Sequence, residues 1–229
     1  MKKVLEAVWK SLLPRSPVFT TAEAADVAGI SLSNAARDLA KAAERNLLTR
    51  VRRGVWAATQ HPDFSAYAVV PYLFSSKESG YVSLLSALGV HGVIEQIPRN
   101  VQVMTLKQRP KLRTPVGTFE FHKIQGKLFG GVEPYQMTRP FDLATPEKAL
   151  FDVLYLSARR GRRFSALPEI ELPADFSEVA LLSWIEKIEL RPLRIAVAQR
   201  WDNLSEGDYT RSKRNAVLAR HRARTAVTR

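Results

Sequence analysis

The chain has 229 residues, a formal net charge of +13 and no cysteine, which excludes disulfides, zinc fingers and cysteine nucleophiles. Its length suffices for one large or two modest domains, and its hydrophobic content of 45% suffices to build a core. There is no signal-peptide pattern and no apolar run near the roughly 20 residues that span a membrane, so we expect a cytoplasmic protein without a membrane partner.

The positive charge is concentrated at the two ends of the chain. Residues 1–60 hold 10 lysines and arginines against 5 acidic residues, and residues 205–229 hold 7 against 2, a balance of +5 in each. Residues 61–204 hold 18 against 15, which leaves only +3. Basic ends on a nearly neutral body indicate a polyanionic partner. The alternative is a protein from a proteome that is basic throughout.

The first predicted elements are two helices. The amphipathic stretch Lys2–Leu13 predicts the first. Thr20 and Glu23 have the three-residue spacing of a capping box, in which each side chain binds a free backbone N–H at the helix start. A short second helix, Ala22–Ala28, should follow and end at Gly29, because glycine readily adopts the positive φ of a helix C-terminus.

The third predicted helix begins after Ser31, a good N-cap residue, and extends to about Asn46. At about 100° per residue, an apolar stripe of this helix suits packing against the other helices, and it comprises Leu32, Ala36, Leu39 and Ala43. The opposite side is polar and basic, which suits a DNA groove, and it comprises Ser33, Asn34, Arg37 and Lys41. Arginine can bind guanine through two hydrogen bonds, and asparagine can bind adenine in the same way.

A basic hairpin is predicted directly after this helix. Val51, Val55 and Trp56 favour strands, and Arg53-Gly54 suits a tight turn. Three helices followed by a basic hairpin are typical of a winged helix-turn-helix, whose third helix enters the major groove while the wing contacts phosphate or the minor groove.

Residues 1–60 are therefore predicted to form a DNA-binding domain. The candidate DNA contacts are Thr20, Thr21, Ser31, Ser33, Asn34, Arg37, Lys41, Arg50, Arg52 and Arg53. Two alternatives remain open at this point. The charged face can be ordinary solvated surface, and some helix-turn-helix folds mediate only protein contacts.

The rest of the chain is predicted to form a second, mixed domain over residues 66–204 and a basic tail over residues 205–229, which makes the fold class α+β. Pro71 interrupts a helical pattern at Ala66–Ser75, and a further helical pattern covers Tyr81–Val90. Strand-like segments follow from Asn100, with a hairpin connection at residues 112–117. Three more helices are predicted, beginning at Thr145, at Ser177 and at about Pro192.

The sequence offers no catalytic or metal-binding constellation, so we expect no enzyme, no cofactor and no metal. The histidines have no metal-type spacing, and they are His61, His91, His122 and His221. We interpret His122 as a surface residue of a strand and Glu147 as a first-turn residue that favours the helix dipole. The tryptophans are assigned mainly to the core, and they are Trp9, Trp56, Trp184 and Trp201.

Two blocks of sequence behind the predicted winged helix resemble a known family. They are GYVSLLSALGVHGVIEQIP at Gly80–Pro98 and ATPEKALFDVLYL at Ala144–Leu156, with the strand-rich stretch between them. This arrangement, over about residues 1–160, resembles AbiEi, the antitoxin of the AbiE abortive-infection system. The region after Leu190 departs from that pattern.

The resemblance implies a bacterial type IV antitoxin that acts in phage defence. Similar proteins repress their own operon by binding inverted repeats in promoter DNA through the winged helix, and they counter a toxin of the nucleotidyltransferase class. We expect a monomer in solution or cooperative binding on DNA. Two alternatives are a nucleic-acid-processing enzyme that a winged helix targets to its substrate and a plain transcription factor without a toxin.

Overall fold

The structure is a computed structural model, and it describes residues 2–75, 78–135, 141–159 and 167–206. Helices and two sheets are both present, as the predicted α+β class requires. The basic tail lies outside the described residues from position 207 onward. No helix within the described ranges is long and apolar enough to cross a membrane.

The N-terminal elements follow the predicted order of three helices and a hairpin. Their bounds are α1 Lys2–Ala7, which continues as a π-helical segment Val8–Leu12, then β1 Val18–Thr20, α2 Thr21–Ala28, α3 Leu32–Glu44, β2 Thr49–Arg52 and β3 Val55–Ala57. The three strands form an antiparallel sheet in the order β1-β3-β2. The short strand β1, which the sequence pattern did not predict, therefore anchors the hairpin next to the start of α2.

The local signals that predicted α2 act as expected. The Thr20 hydroxyl accepts a hydrogen bond from the Glu23 backbone N–H at 3.1 Å, and the Glu23 carboxylate accepts one from the Thr20 N–H at 2.7 Å. Gly29 ends the helix in the left-handed conformation with a φ of 59°, where a side chain would be strained. The turn between α2 and α3 is thus fixed at both ends.

The buried face of α3 differs from the predicted stripe. Ala35, Leu39 and Ala42 are fully buried, whereas Leu32 is 58% exposed and Ala36 is also exposed. Leu39 and Ala43 of the predicted stripe do pack in the core, but Leu32 and Ala36 do not. The alanines of α3 spread over about half of its circumference, so the sequence did not define which part of that half is buried. The small Ala35 and Ala42 allow close packing around Leu39, and Leu32 is left at the surface.

A second sheet has six strands in the order β6-β7-β5-β4-β9-β8. Their bounds are β4 Gly80–Val82, β5 Val101–Thr105, β6 Leu112–Thr114, β7 Gly117–Lys123, β8 Val132–Tyr135 and β9 Phe141–Ala144. The β5–β7 and β4–β9 pairs are parallel, and the others are antiparallel. The predicted hairpin connection at residues 112–117 exists, but it joins β6 to β7. It does not join β5 to β7, because these two strands are parallel.

Three further expectations are corrected by packing. The stretch Tyr81–Val90 begins as strand β4, and its helix, α4, covers only Leu84–Val90. His122 is buried, with 6% exposure, because β7 lies inside the six-stranded sheet rather than at its edge. Trp9 is 45% exposed and therefore not a core residue, whereas Trp56 and Trp201 are buried.

The chain divides into two compact units. The first comprises residues 1–87 and 98–145 and holds both sheets and the 3₁₀ helices Ala66–Leu73 and Gly126–Leu128. The second comprises residues 88–97 and 146–229, and its described helices are α5 Pro146–Ala158, α6 Glu178–Glu186 and a helix at residues 191–206. Residues 1–60 fall wholly in the first unit, and residues 66–204 are divided between the two units. The predicted domain bounds stay a prediction.

The second unit contains a buried ion pair. Lys148 and Asp152 are both fully buried on successive turns of α5, and the Lys148 ammonium donates to the Asp152 carboxylate. The same ammonium lies 4.8 Å from the Phe151 ring centroid and 4.7 Å from that of Trp184. Burial lowers the pKa of Lys148, and the Asp152 carboxylate opposes this effect.

Candidate nucleic-acid interface

A groove of about 820 Å³ lies between the start of α2, the start of α3 and the β2–β3 hairpin. It is lined by Thr20, Thr21, Ala22, Ser31, Leu32, Ser33, Ala36, Ala40, Arg50, Arg53, Gly54 and Trp56. Six of the predicted site residues line it, namely Thr20, Thr21, Ser31, Ser33, Arg50 and Arg53. No acidic side chain is part of this lining, so the charge of the groove is positive.

The four other predicted residues lie outside the groove lining. Asn34, Arg37 and Lys41 are exposed on α3, and Arg52 is exposed on β2 beside the turn. The Arg37 guanidinium donates to the Asn34 side-chain oxygen over 2.7 Å. These two side chains are therefore joined to each other on the free surface, which holds Arg37 in one orientation.

The hydroxyls of Thr20 and Ser31 hold the starts of the two helices. The Thr20 hydroxyl donates to the Glu23 carboxylate at 2.8 Å while it caps α2. Ser31 accepts from the Asn34 N–H at 3.3 Å and lies 3.2 Å from the Ser33 hydroxyl. Both helices thus begin at the groove, where the positive end of the helix dipole favours an anion.

Thr21 has a structural contact that its sequence position did not reveal. Its side chain is buried, and its hydroxyl accepts a hydrogen bond from the Trp56 indole N–H at 2.8 Å. Its backbone N–H donates to the Gly54 carbonyl at 2.9 Å. Thr21 therefore ties the start of α2 to the hairpin. Direct contact between Thr21 and DNA stays a prediction.

The hairpin presents Arg50 and Arg52 to solvent because side chains alternate between the two faces of β2, and Val51 between them is buried. Arg50 pairs with Trp56 and Arg52 pairs with Val55, with a bulge between the two arginines. The Arg50 guanidinium carbon lies 5.7 Å from the Trp56 ring centroid, within cation–π distance.

Gly54 closes the hairpin turn with a φ of 79°, a conformation that glycine adopts at little cost. The predicted turn at Arg53-Gly54 is confirmed. Arg53, at the tip, is exposed. The three arginines of the hairpin and the basic residues of α3 thus lie on exposed positions of adjacent elements.

The sequence pattern missed the apolar part of this surface. Leu32, Ala36 and Ala40 line the groove along α3, and Trp56 lines it from β3. One signal in the sequence could have indicated that Leu32 is exposed. It is the first residue of α3, directly after the N-cap Ser31, so no preceding helical turn covers its side chain. The missing information was the rotation of α3 about its axis, which depends on packing.

The described residues contain no group of three or more histidine, aspartate or glutamate side chains that could hold a metal ion. Glu147 lies in the first turn of α5, as predicted, and it also accepts a hydrogen bond from the Ser177 backbone N–H at 2.9 Å. It connects the start of α5 to the N-cap of α6. The structure thus adds a second contact to the first-turn position.

Residues 10–59 match the model of a family described as transcriptional regulator, AbiEi antitoxin. The matched segment contains every residue that lines the groove, and it stops before the blocks at Gly80–Pro98 and Ala144–Leu156. No curated protein matches the chain. The predicted resemblance is confirmed over residues 10–59, where this chain matches the AbiEi antitoxins, a family of transcriptional regulators rather than of enzymes.

Proposed function

We propose that this chain is a DNA-binding transcriptional autorepressor and the antitoxin of a bacterial type IV system of the AbiE kind. Its N-terminal elements then form a winged helix-turn-helix, with α3 as the recognition helix and the β2–β3 hairpin as the wing. One observation carries the proposal. The starts of α2 and α3 and the hairpin residues Arg50 and Arg53 line one groove without an acidic side chain, inside the segment that matches a family of regulators.

The roles of the basic side chains follow from their positions. Asn34 and Arg37 lie in the first two turns of α3, the part of a recognition helix that reaches base edges. Lys41 is one turn further on and would contact a phosphate or the groove edge. Arg50, Arg52 and Arg53 would neutralise phosphates beside the wing, which adds affinity without sequence information.

The remaining predicted contacts belong to the helix starts. Thr20, Thr21, Ser31 and Ser33 adjoin the N-termini of α2 and α3, where the helix dipoles and the exposed hydroxyls of Ser31 and Ser33 would favour a phosphate. The capping bonds of Thr20 and Ser31 leave their backbone geometry fixed, so phosphate binding would need little rearrangement. No metal or cofactor is required for this mode of binding.

Two copies on inverted repeats would repress transcription by occupying the promoter. The second proposed activity, antagonism of a nucleotidyltransferase-class toxin, rests on the family match and on the sequence blocks behind the winged helix. The two activities are separable in cells. Repression requires the groove, whereas protection from the toxin requires whichever surface antagonises it.

The direct test is selection of DNA by the full-length protein. A pool of randomised duplexes should yield an enriched sequence, and DNA from upstream of the chain's own gene should contain it. The Arg37→Ala variant should bind that sequence more weakly, while Arg113→Ala, which changes an exposed arginine of β6, should not. Failure to enrich any sequence would overturn sequence-specific binding.

The antitoxin activity has its own test. The gene beside this one, if it encodes a nucleotidyltransferase, should arrest growth when expressed alone and not when expressed with this chain. Arg37→Ala should lose repression of a promoter reporter. Arrest that persists in the presence of this chain would contradict the antitoxin role and leave the regulator role standing.

A further inference from the structure

Leu32 has an apolar side chain that is not part of the hydrophobic core. It is 58% exposed at the first position of α3, whereas the buried face of this helix comprises Ala35, Leu39 and Ala42. Ala36 and Ala40 follow at intervals of four residues, so the three side chains form one line along the helix. All three line the groove. We refer to Leu32, Ala36 and Ala40 as the apolar line.

The groove opposite the apolar line is basic. Arg50 and Arg53 form its charged lining, and no acidic side chain contributes to it. An apolar peptide or a lipid tail would gain nothing from the two arginines. A DNA duplex satisfies both sides at once, because it offers phosphates to the arginines and base edges to the helix. Charge complementarity therefore selects DNA as the occupant.

The major groove of DNA presents one apolar group, the C5-methyl of thymine, and apolar side chains are the usual partners of that methyl. The N-terminal residues of a recognition helix are those that reach base edges. Leu32 lies at that end of α3, and Ala36 follows one turn later. Asn34 and Arg37 lie on the polar side of the same helix, outside the groove lining, and would supply the polar contacts.

We propose that Leu32 and Ala36 contact thymine methyl groups and make thymine a preferred base in each half-site. This inference rests on the proposed DNA-binding function and extends it. Arg37, oriented by Asn34, then reads hydrogen-bonding groups, while Leu32 and Ala36 read methyls. Leu32 is thereby a specificity-determining residue, although a search for polar and basic side chains on α3 would not identify it.

The test replaces thymidine by deoxyuridine, which removes the C5-methyl and leaves every base-pairing group in place. The probes are duplexes enriched from a randomised pool by the full-length protein, resynthesised with uracil at one thymine position at a time. Wild-type protein should bind more weakly by about three- to fivefold for each contacted methyl that is lost. Positions outside the half-sites should show no change.

A protein variant assigns the effect to Leu32. Leu32→Ala should weaken binding to the thymine duplex and should no longer distinguish it from the uracil duplex at the contacted position, as a double-mutant cycle requires. Leu190→Ala is the matched control, since Leu190 is 62% exposed and lies in the other unit. It should retain the full thymine preference.

The outcomes separate this inference from the proposed function. If a sequence is enriched and Arg37→Ala weakens binding, but uracil and thymine duplexes bind wild-type protein equally, the methyl contact is wrong and DNA recognition stands. If Leu32→Ala keeps the thymine preference, Leu32 is not the reader. If no sequence is enriched at all, both proposals fail together.

Discussion

At the scale of single residues, the pairing of Arg37 with Asn34 constrains how α3 can read DNA. Asparagine binds adenine through its amide oxygen and its amide nitrogen together. In the free protein the Asn34 oxygen already accepts from Arg37. While that bond persists, Asn34 orients the arginine, and only the second lone pair of its oxygen is left for adenine. Asn34 is then a positioning residue for Arg37.

This arrangement predicts that the two side chains act as one. Arg37→Ala should cost about 1–3 kcal/mol of binding free energy on the selected duplex and relax preference at one base pair. Asn34→Ala should relax preference at that same base pair, and the double variant should lose less than the sum. Competition binding with single-base variants of the duplex measures this. Independent losses at two different base pairs would show that Asn34 reads its own base.

At the scale of elements, the hairpin should supply affinity without specificity. Each phosphate that a protein neutralises contributes about 0.9 to the slope of log affinity against log salt. Reversing Arg52 and Arg53 to glutamate should flatten that slope and weaken binding to selected and scrambled duplexes alike. The measurement is a titration of affinity against salt on both duplexes.

The matched control reverses Arg99 and Arg113, which are exposed, lie outside the matched segment and give the same change in net charge. That variant should keep most of the wild-type slope, because distant charges are screened within about 10 Å at 0.1 M salt. An equal loss in both variants would mean that overall charge, rather than the hairpin, attracts DNA.

The buried pair in α5 allows a prediction about stability. Lys148→Met should leave the Asp152 carboxylate buried without its cation and cost about 3–5 kcal/mol of unfolding free energy. Lys148→Met combined with Asp152→Leu should recover most of that loss. Urea unfolding followed by fluorescence is a suitable measurement, because Trp184 lies over the Lys148 ammonium. Equal destabilisation by the single and double variants would show that the pair itself is required.

The elements also show what the sequence could and could not predict. Capping at Thr20 and Ser31, the end of α2 at Gly29 and the turn at Gly54 are decided by neighbours within four residues, so they were predictable. The rotation of α3, the burial of His122 and the parallel pairing of β5 with β7 depend on segments far apart in the chain. Leu32 and the Thr21–Trp56 bond were missed for that reason.

At the scale of the whole molecule, the chain has two basic regions, the N-terminal 60 residues and the C-terminal tail. Residues 209–229 carry seven basic side chains and no acidic one. The sequence of this segment has no apolar pattern of the kind that predicts a core, so we expect the rest of the chain to fold without it. The positive charge of the tail suits binding to DNA phosphates or to an acidic surface of the toxin.

Deleting residues from Tyr209 onward should therefore preserve folding and weaken DNA binding mainly at low salt, where counterion release contributes most. Thymine preference at the half-sites should be unchanged, because the apolar line and Arg37 remain. Binding of the truncated and full-length chains is measured across a salt series, alongside growth protection in cells that express the toxin. Unchanged DNA affinity with lost protection would assign the tail to the toxin. Unchanged affinity and unchanged protection would contradict a binding role for the tail, and the N-terminal groove would then account for DNA binding alone.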